Sequence, residues 1–540
     1  MIAVIDRRLG MPGPAVAALV VCACAVAPYL TTVNDYFVRD DFGVVQLLAQ
    51  KPATYFPRWF VSPWTDNIWR YTPDEIRPFP ALSYQITSLG GANAPFAHHV
   101  LNIALHAVNG LLVLAIARVV AGLSLQSAMF GAVVYVWLPV HAESVAWITG
   151  RVDSFPALFY LGSFLAYAIW RRSAPAPRWY LVSLACFFIA LFSKQTAITM
   201  VATLIAYDLL VERRVTRPSW TWARPYVPFM AMTVGYLVLR YALFGEVARE
   251  GQLSRSGLTY FVWLIGRHLT HVVTGHQAAS TGAGVVVVAM VLGFQAVEGR
   301  NQLSGDYRYL GLLTFFGPVW WLIGVAPILV AGYESPRHVY LAAAGWAVVV
   351  AGLVDALRRA SDRRKWRFVV AAVGVVVLGS YGFRLLAVVR SWSTIAAVSQ
   401  QVVRDVSEES SRVAPRSLLI IDAPVRSWEF AIPFSVRPPF TARDITERVA
   451  IISPGLLHCC REHWFWDTRE ALQRWLNEHN EAPIVVLYWD ESSGRLTRIT
   501  DRQAPQVRQV LPKLLGLRTA AELDIAIRQT VAQVTGQNRQ

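Results

Sequence analysis

LPVHAESVAWITGRVDSFP, residues 138–156, decides how the chain is read. It is a short polar loop between two apolar runs, 124–140 and 154–170, each able to cross the ~30 Å hydrocarbon core of a bilayer. Ionisable side chains at membrane depth or in tight loops beside it are costly, and so are functional candidates by default. His141, Glu143, Arg151 and Asp153 all crowd into this one loop. A loop this short has little reason to hold four such groups unless they face a cavity.

Outward from the loop, the chain repeats the pattern of apolar run and polar break. The runs are 12–32, 98–121, 124–140, 154–170, 179–193, 196–211, 225–243, 281–298, 308–331, 338–357 and 367–388, which predicts about eleven spans. The composition agrees. Of 540 residues, 55% are hydrophobic and only 16% charged, against about 25% charged in soluble domains. That excludes a disordered chain and argues against a large soluble enzyme. The net charge of +15 would suggest a polyanion partner in a soluble protein. Here it sits in arginine clusters: Arg7 and Arg8; Arg171, Arg172 and Arg178; Arg213, Arg214, Arg217 and Arg224; and Arg358 to Arg367. All four fall on one side of the membrane if 258–276, which Arg267, His268 and His271 interrupt, lies as an amphipathic helix in the outer interface. The positive-inside rule then makes that side cytoplasmic, with no nucleic-acid partner implied.

The polar residues of the opposite side carry the functional reading. The first outer loop, 33–97, opens with Asp40 and Asp41. Adjacent carboxylates repel, and partial burial raises at least one pKa. Such a pair suits a general base or an anchor for a sugar hydroxyl, and equally a solvated interfacial pair. His99, Asn102 and His106 share one helix face, placed for interhelical hydrogen bonds or for substrate. Lys194, one of only four lysines, lies in FSKQTAIT with no acid near it in sequence. A lone ammonium there wants an anion such as phosphate, or snorkels to the interface. Glu334, Arg337 and His338 sit directly before a span, and Arg337 is a second candidate phosphate clamp.

Segment 391–540 has ordinary charge density and no span. SLLIID (417–422) and APIVVLYWD (482–490) read as buried strands, ESSG as a turn into RLTRIT, and 467–480 and 506–535 as helical. The expected fold is therefore an α-helical polytopic membrane protein, residues 1–390, followed by an extracytoplasmic α/β domain, 391–540. Five cysteines imply no disulfide framework. His458, Cys459, Cys460 and His463 match no standard metal spacing.

Several strings occur together in order: VRDD (38–41), RPFPALSY (77–84), HHVLNIALHAVN (98–109), HAESVAWITGRVD (141–153), LFSKQTAITMVATLIAYDLL (191–210) and ESPRHVYLAAAGW (334–346). In these the chain resembles the GT-C glycosyltransferases, especially the TMTC and protein O-mannosyltransferase group. Two departures stand out. That group carries tetratricopeptide repeats after its last span, where this chain has the α/β segment. Its third loop has Lys-Glu, where this chain has Lys194-Gln195.

The resemblance implies inverting transfer of a sugar, as in a mannosyltransferase, from a polyprenyl-phosphate donor to a hydroxyl of a protein or envelope glycan. Asp40 or Asp41 would be the base. Lys194, Arg337 and Arg151 would hold the donor phosphate. Glu143, Asp153, His141, Arg77, His99, Asn102, Glu334 and His338 would surround sugar or acceptor. No redox or nucleotide cofactor is expected. The clustered acids allow a divalent cation (Mg or Mn) without requiring one. The alternatives are a lipid or sugar transporter or flippase, which would favour repeated halves and a midplane site, and a non-catalytic assembly protein of envelope polysaccharide synthesis. The arginine-rich coding points to a bacterial inner membrane, with the site and the α/β domain facing the periplasm.

Overall fold

In the computed structural model the described residues are 13–66, 75–91, 93–172, 176–212, 220–247, 258–275, 316–360, 364–413, 417–422, 435–445, 449–451 and 483–499, with isolated positions at 477 and in the C-terminal tail. The expected span 281–298, the start of 308–331, the His458–His463 cluster and nearly all of 467–480 lie outside them.

The molecule is mostly helical. Five described helices are long and apolar enough to cross a membrane: Pro14–Thr32, Phe96–Val120, Arg151–Arg172, Arg224–Phe244 and one within Arg364–Arg412. A sixth candidate is broken. Helix Leu125–Trp137 ends where Leu138 turns extended before Pro139, as the residue before proline must, and the chain resumes at 48° through Pro139–Ala146. Shorter apolar helices cover Pro177–Leu191, Gln195–Leu210 and Gly317–Ala331. Small residues bring backbones together inside the bundle. A Cβ on Gly131 would lie 2.6 Å from Ala351 Cβ on the neighbouring helix Ala343–Ala360. Large apolar side chains face outward on the rim helices, among them Val234, Val238, Val375 and Phe383. Such faces suit contact with lipid.

The working labels are α1 (Pro14–Val26), α2 (Asp41–Ala49), α3 (Pro78–Ser88), α4 (Phe96–Ala115), α5 (Leu125–Trp137), α6 (Ala142–Ala146), α7 (Arg151–Arg172), α8 (Pro177–Leu191), α9 (Met200–Leu210), α10 (Val227–Phe244), α11 (Leu258–Thr274), α12 (Gly317–Ala331), α13 (Ala343–Ala360) and α14 (Arg364–Arg412). Helix α14 is 49 residues long, about 74 Å at the α-helical rise, more than twice what a bilayer needs. It runs unbroken through the domain boundary expected at 390. Nothing between 389 and 412 is proline or glycine, so the helix has no reason to stop where the membrane does.

A four-stranded sheet follows. Strands β1 (Leu418–Asp422), β2 (Val449–Ile451), β3 (Ile484–Asp490) and β4 (Arg495–Arg498) stand in the order β2-β1-β3-β4. β1 is parallel to β2 and β3, with Leu419 opposite Val449 and Val485, and β4 is antiparallel to β3. Ile484 to Tyr488 are all buried, the pattern of a strand covered on both faces. Its apolar residues share one core with Val402, Val403 and Val406 of α14, with Phe440, and with Phe37, Phe42, Trp59 and Tyr84 of the first outer loop and α3. The bundle has a separate core. The first outer loop is thus a wall of the sheet-bearing unit, because its aromatics need burial that lipid headgroups do not provide.

Candidate functional site

Helix α7 sets the frame, because its N-terminal end brings Arg151 and Asp153 up beneath the loop that carries Glu143. Gly150 closes that loop. A Cβ there would sit 2.4 Å from the Glu143 carbonyl oxygen, so only glycine permits the turn.

The two adjacent aspartates have different fates. Asp41 is 1% exposed. One oxygen accepts from Thr149 N at 2.8 Å and Thr149 Oγ1 at 2.6 Å, the other from Val38 N at 3.0 Å. Burial pushes its carboxyl up to about 7, while the Thr149 and Val38 bonds pull it down. Asp41 therefore ties the first outer loop to the second. Asp40 is half-buried, and no described residue donates a hydrogen bond to its carboxylate. Burial raises its pKa, and Arg337 and Arg39 lower it. Arg39 takes a left-handed φ of 51°, which a side chain adopts at some cost, and lays its guanidinium over Trp392 at 5.2 Å.

Lys194 meets Asp153, from α7, in a buried ion pair. The second oxygen of Asp153 has no partner among the described residues. Burial lowers the Lys194 pKa and Asp153 raises it, with Arg77 and Arg337 lowering it further. Arg337 lies over Trp147 at 4.8 Å, with Nε 3.7 Å from Glu143 Oε1. Burial works against its charge, but Asp153, Glu143, Asp40 and Glu75 more than offset that and raise its pKa. Arg77 donates to Glu75 at 2.6 Å and lies over Trp64, and its Nε is buried without a partner. Arg337 and Arg77 thus stand within electrostatic reach of Lys194, and Arg337 within reach of Asp40, Glu143 and Asp153 as well. Beside them a recess is lined by Asp153, Tyr160, Lys194, Thr196 and His338. His338 stacks on Tyr333 at 4.5 Å and is held neutral, first by burial and then by Arg337 and Lys194.

Other expected site residues are placed elsewhere. Arg151 is fully buried and donates to Asn102 Oδ1 at 2.7 Å, Ser83 Oγ at 3.2 Å, Thr87 Oγ1 at 3.3 Å and the His98 carbonyl at 3.0 Å. It braces α7 against α3 and α4 and is not brought to the other cations. Asn102 completes that brace by donating to the carbonyls of Val145, Trp147 and Ile148. His99 Nε2 bonds the Asp35 carbonyl at 3.0 Å. His141 is buried against the rings of Tyr135 and Tyr340, in the bundle core. Glu334 accepts from Tyr260 at 3.2 Å and faces Arg267 at 3.4 Å, which fastens α11 to the Arg337 loop. Glu143 accepts from Ser335 at 2.8 Å and steers that same loop. Among the described residues, no three His, Cys, Asp or Glu side chains gather as a metal site. Asp153 and Glu143 face cations instead. Sequence reading missed Trp147 and Trp392, whose rings stack at 6.0 Å and lie under Arg337 and Arg39. Trp147 lay within the quoted loop, but only the course of α14 brings Trp392 to it.

No protein-family model matches the chain. Over 211 residues it is 29% identical to the protein O-mannosyl-transferase TMTC2 of Homo sapiens, covering 37% of this chain and 25% of that relative. Over 223 residues it is 29% identical to Tmtc2 of Drosophila melanogaster, covering 39% and 23%. Over these stretches the chain resembles the TMTC proteins. The matches span about a quarter of the length of these relatives. Among solved structures, the chain aligns with ArnT from Cupriavidus metallidurans bound to undecaprenyl phosphate, at 11% identity and a TM-score of 0.47 over 88% of this chain and 93% of that one. It also aligns with the oligosaccharyltransferase AglB from Archaeoglobus fulgidus, in complex with an inhibitory peptide and a dolichol-phosphate, at 12% identity and 0.44 over 95% and 72%.

Proposed function

We propose that this chain is an integral-membrane glycosyltransferase that moves a sugar from a polyprenyl-phosphate donor to a hydroxyl acceptor, with inversion, at the extracytoplasmic face. The observation that carries the reading is Arg337, which acts electrostatically on both Lys194 and Asp40, a carboxylate without a hydrogen-bond donor among the described residues, with Arg77 acting on Lys194 as well.

The lipid tail lies among the spans and the phosphate lies against the cations. Lys194 has three N–H donors, of which Asp153 takes one. Arg337 offers a buried Nε with no hydrogen-bond partner. Asp40 accepts the proton of the acceptor hydroxyl as its oxygen attacks the anomeric carbon. The bond from that carbon to the phosphate oxygen breaks, and the phosphate leaves with the electron pair. The fixed cations stabilise the charge developing there, which is often the largest catalytic contribution. Asp41 acts at one remove by holding the backbone on which Asp40 stands. Asp153 and Glu143 set the positions of Lys194 and Arg337.

The similarity to protein O-mannosyl-transferases makes mannose the first sugar to test. The arginine clusters place the N-terminus in the cytoplasm, and a bacterial inner membrane is the proposed location. The test is transfer by the purified full chain from polyprenyl-phosphate mannose to serine/threonine peptides and to envelope glycans. Transfer that Asp40→Asn abolishes supports the reading. Transfer unaffected by Asp40→Asn removes the base assignment.

A further inference from the structure

Outside the cation cluster an open, mostly polar cleft of ≈ 490 Å³ lies between the first outer loop and the far half of α14. Asn34 and Tyr36 come from the loop, Asn93 from the turn before α4, and Gln400 and Arg404 from successive turns of α14, while Phe440 reaches in from the C-terminal segment. We propose that this cleft binds the acceptor, and that the acceptor is an acidic saccharide. The inference rests on the glycosyltransferase reading.

Three observations favour it. The first is continuity with the site. Tyr36 lies four residues before Asp40. Gln400 lies two turns beyond Trp392, about 12 Å along the helix, and Trp392 stacks on Trp147, over which Arg337 lies. The loop between cleft and Asp40 is fixed to α14, since Ser393 donates to Asp35 at 2.6 Å and Ser399 to the Phe37 carbonyl at 2.5 Å. The second is charge. Arg404 is exposed, forms no ion pair with a described residue and acts electrostatically on Tyr36. Glu408 also lines the cleft, but its charge is offset by Arg412 at 3.6 Å and Arg495 at 3.8 Å. An unpaired guanidinium beside three side-chain amides suits a carboxylate or phosphate among hydroxyls. The third is the type of surface. Tyr36 offers an aromatic ring and Asn34, Asn93 and Gln400 offer amides, as a sugar needs. A peptide that adds as a strand needs a sheet edge, and no described strand lines the cleft.

The test is a binding titration on the full chain in lipid nanodiscs without donor, using tetragalacturonate, phosphorylated maltotetraose, neutral maltotetraose and a serine/threonine peptide. The expected result is binding of the acidic saccharides, weakened at least tenfold by Arg404→Gln and partly restored in Arg404→Lys. Whichever of the two acids binds more tightly identifies the anionic group. Equal binding of neutral maltotetraose, binding unchanged in Arg404→Gln, or binding of the peptide alone overturns the proposal. Polyprenyl-phosphate binding is measured in parallel. Saccharide binding without donor binding would fail the glycosyltransferase reading alone, and donor binding without saccharide binding would fail this inference alone.

Discussion

The two ends of α7 hold similar residues in opposite condition. At its C-terminal end Arg171 pairs with Asp208, whose Oδ2 also accepts from Tyr167 at 2.7 Å and Tyr226 at 2.5 Å. Arg172 pairs with Glu212, which accepts from Tyr207 at 2.7 Å. Each cation there has its own acid, and tyrosines fill in around the acids. At the N-terminal end, about 33 Å away, Lys194 pairs with Asp153, Arg337 faces Glu143 and Arg77 pairs with Glu75, but Asp40 accepts no hydrogen bond from a described residue. The lesson is that residue type does not mark a site in this protein. What opens the N-terminal end is Asp40, which accepts no hydrogen bond from a described residue, whereas both acids of the C-terminal end, closed in that sense, are held by an arginine and a tyrosine.

That contrast can be broken by substitution. The largest effect is expected at the closed end. Asp208→Ala removes the acid from a buried pair and should cost ~3–5 kcal/mol, read as a lowered unfolding midpoint in detergent. The corresponding change at the open end should spare stability and remove activity. Asp40→Asn is expected to cut turnover by ~10²-fold or more with the unfolding midpoint unchanged. Its neighbour should do the reverse. In Asp41→Asn one side-chain atom becomes a donor facing either Val38 N–H or the two Thr149 donors, which costs ~1–3 kcal/mol, and thermal unfolding will show it. Arg337→Gln removes one charged contact to the phosphate and is expected to weaken polyprenyl-phosphate binding by about tenfold, as one charge-assisted bond would.

The smallest effect is in pH dependence. Burial raises the Asp40 pKa from its ordinary value. A base must be ionised, so transfer should fall as pH drops through that raised value and level off above it. Arg337 is the first-named charge opposing the rise. In Arg337→Gln the falling limb should therefore move to higher pH. A limb that stays in place would separate Arg337 from Asp40.

Much of the membrane architecture was legible because apolar runs have only one use at that length. The strands were legible too, apart from β2, whose three residues carry no pattern. The end of the last span was not. Helix propensity does not change at a membrane surface, and α14 continues through 390 without a break. The site was half legible. Lys194 and Arg337 stood out as cations in small outer loops. The difference between Asp40 and Asp41 was invisible, since it depends on Thr149, 108 positions away. Arg151 looked as open as Arg337 in sequence. Its acceptors come from α3 and α4, and only the folded chain brings them to it. Lys194 seemed to lack an acid because Asp153 is 41 positions distant.

The central claim is that Asp40 is the chemical base and Asp41 its support. The most direct measurement is single-turnover sugar transfer by Asp40→Asn, with polyprenyl-phosphate binding and thermal unfolding recorded on the same preparation. The account predicts transfer reduced ~10²-fold or more, with donor affinity and unfolding midpoint at wild-type values. Wild-type transfer by a folded, donor-binding Asp40→Asn protein would contradict it.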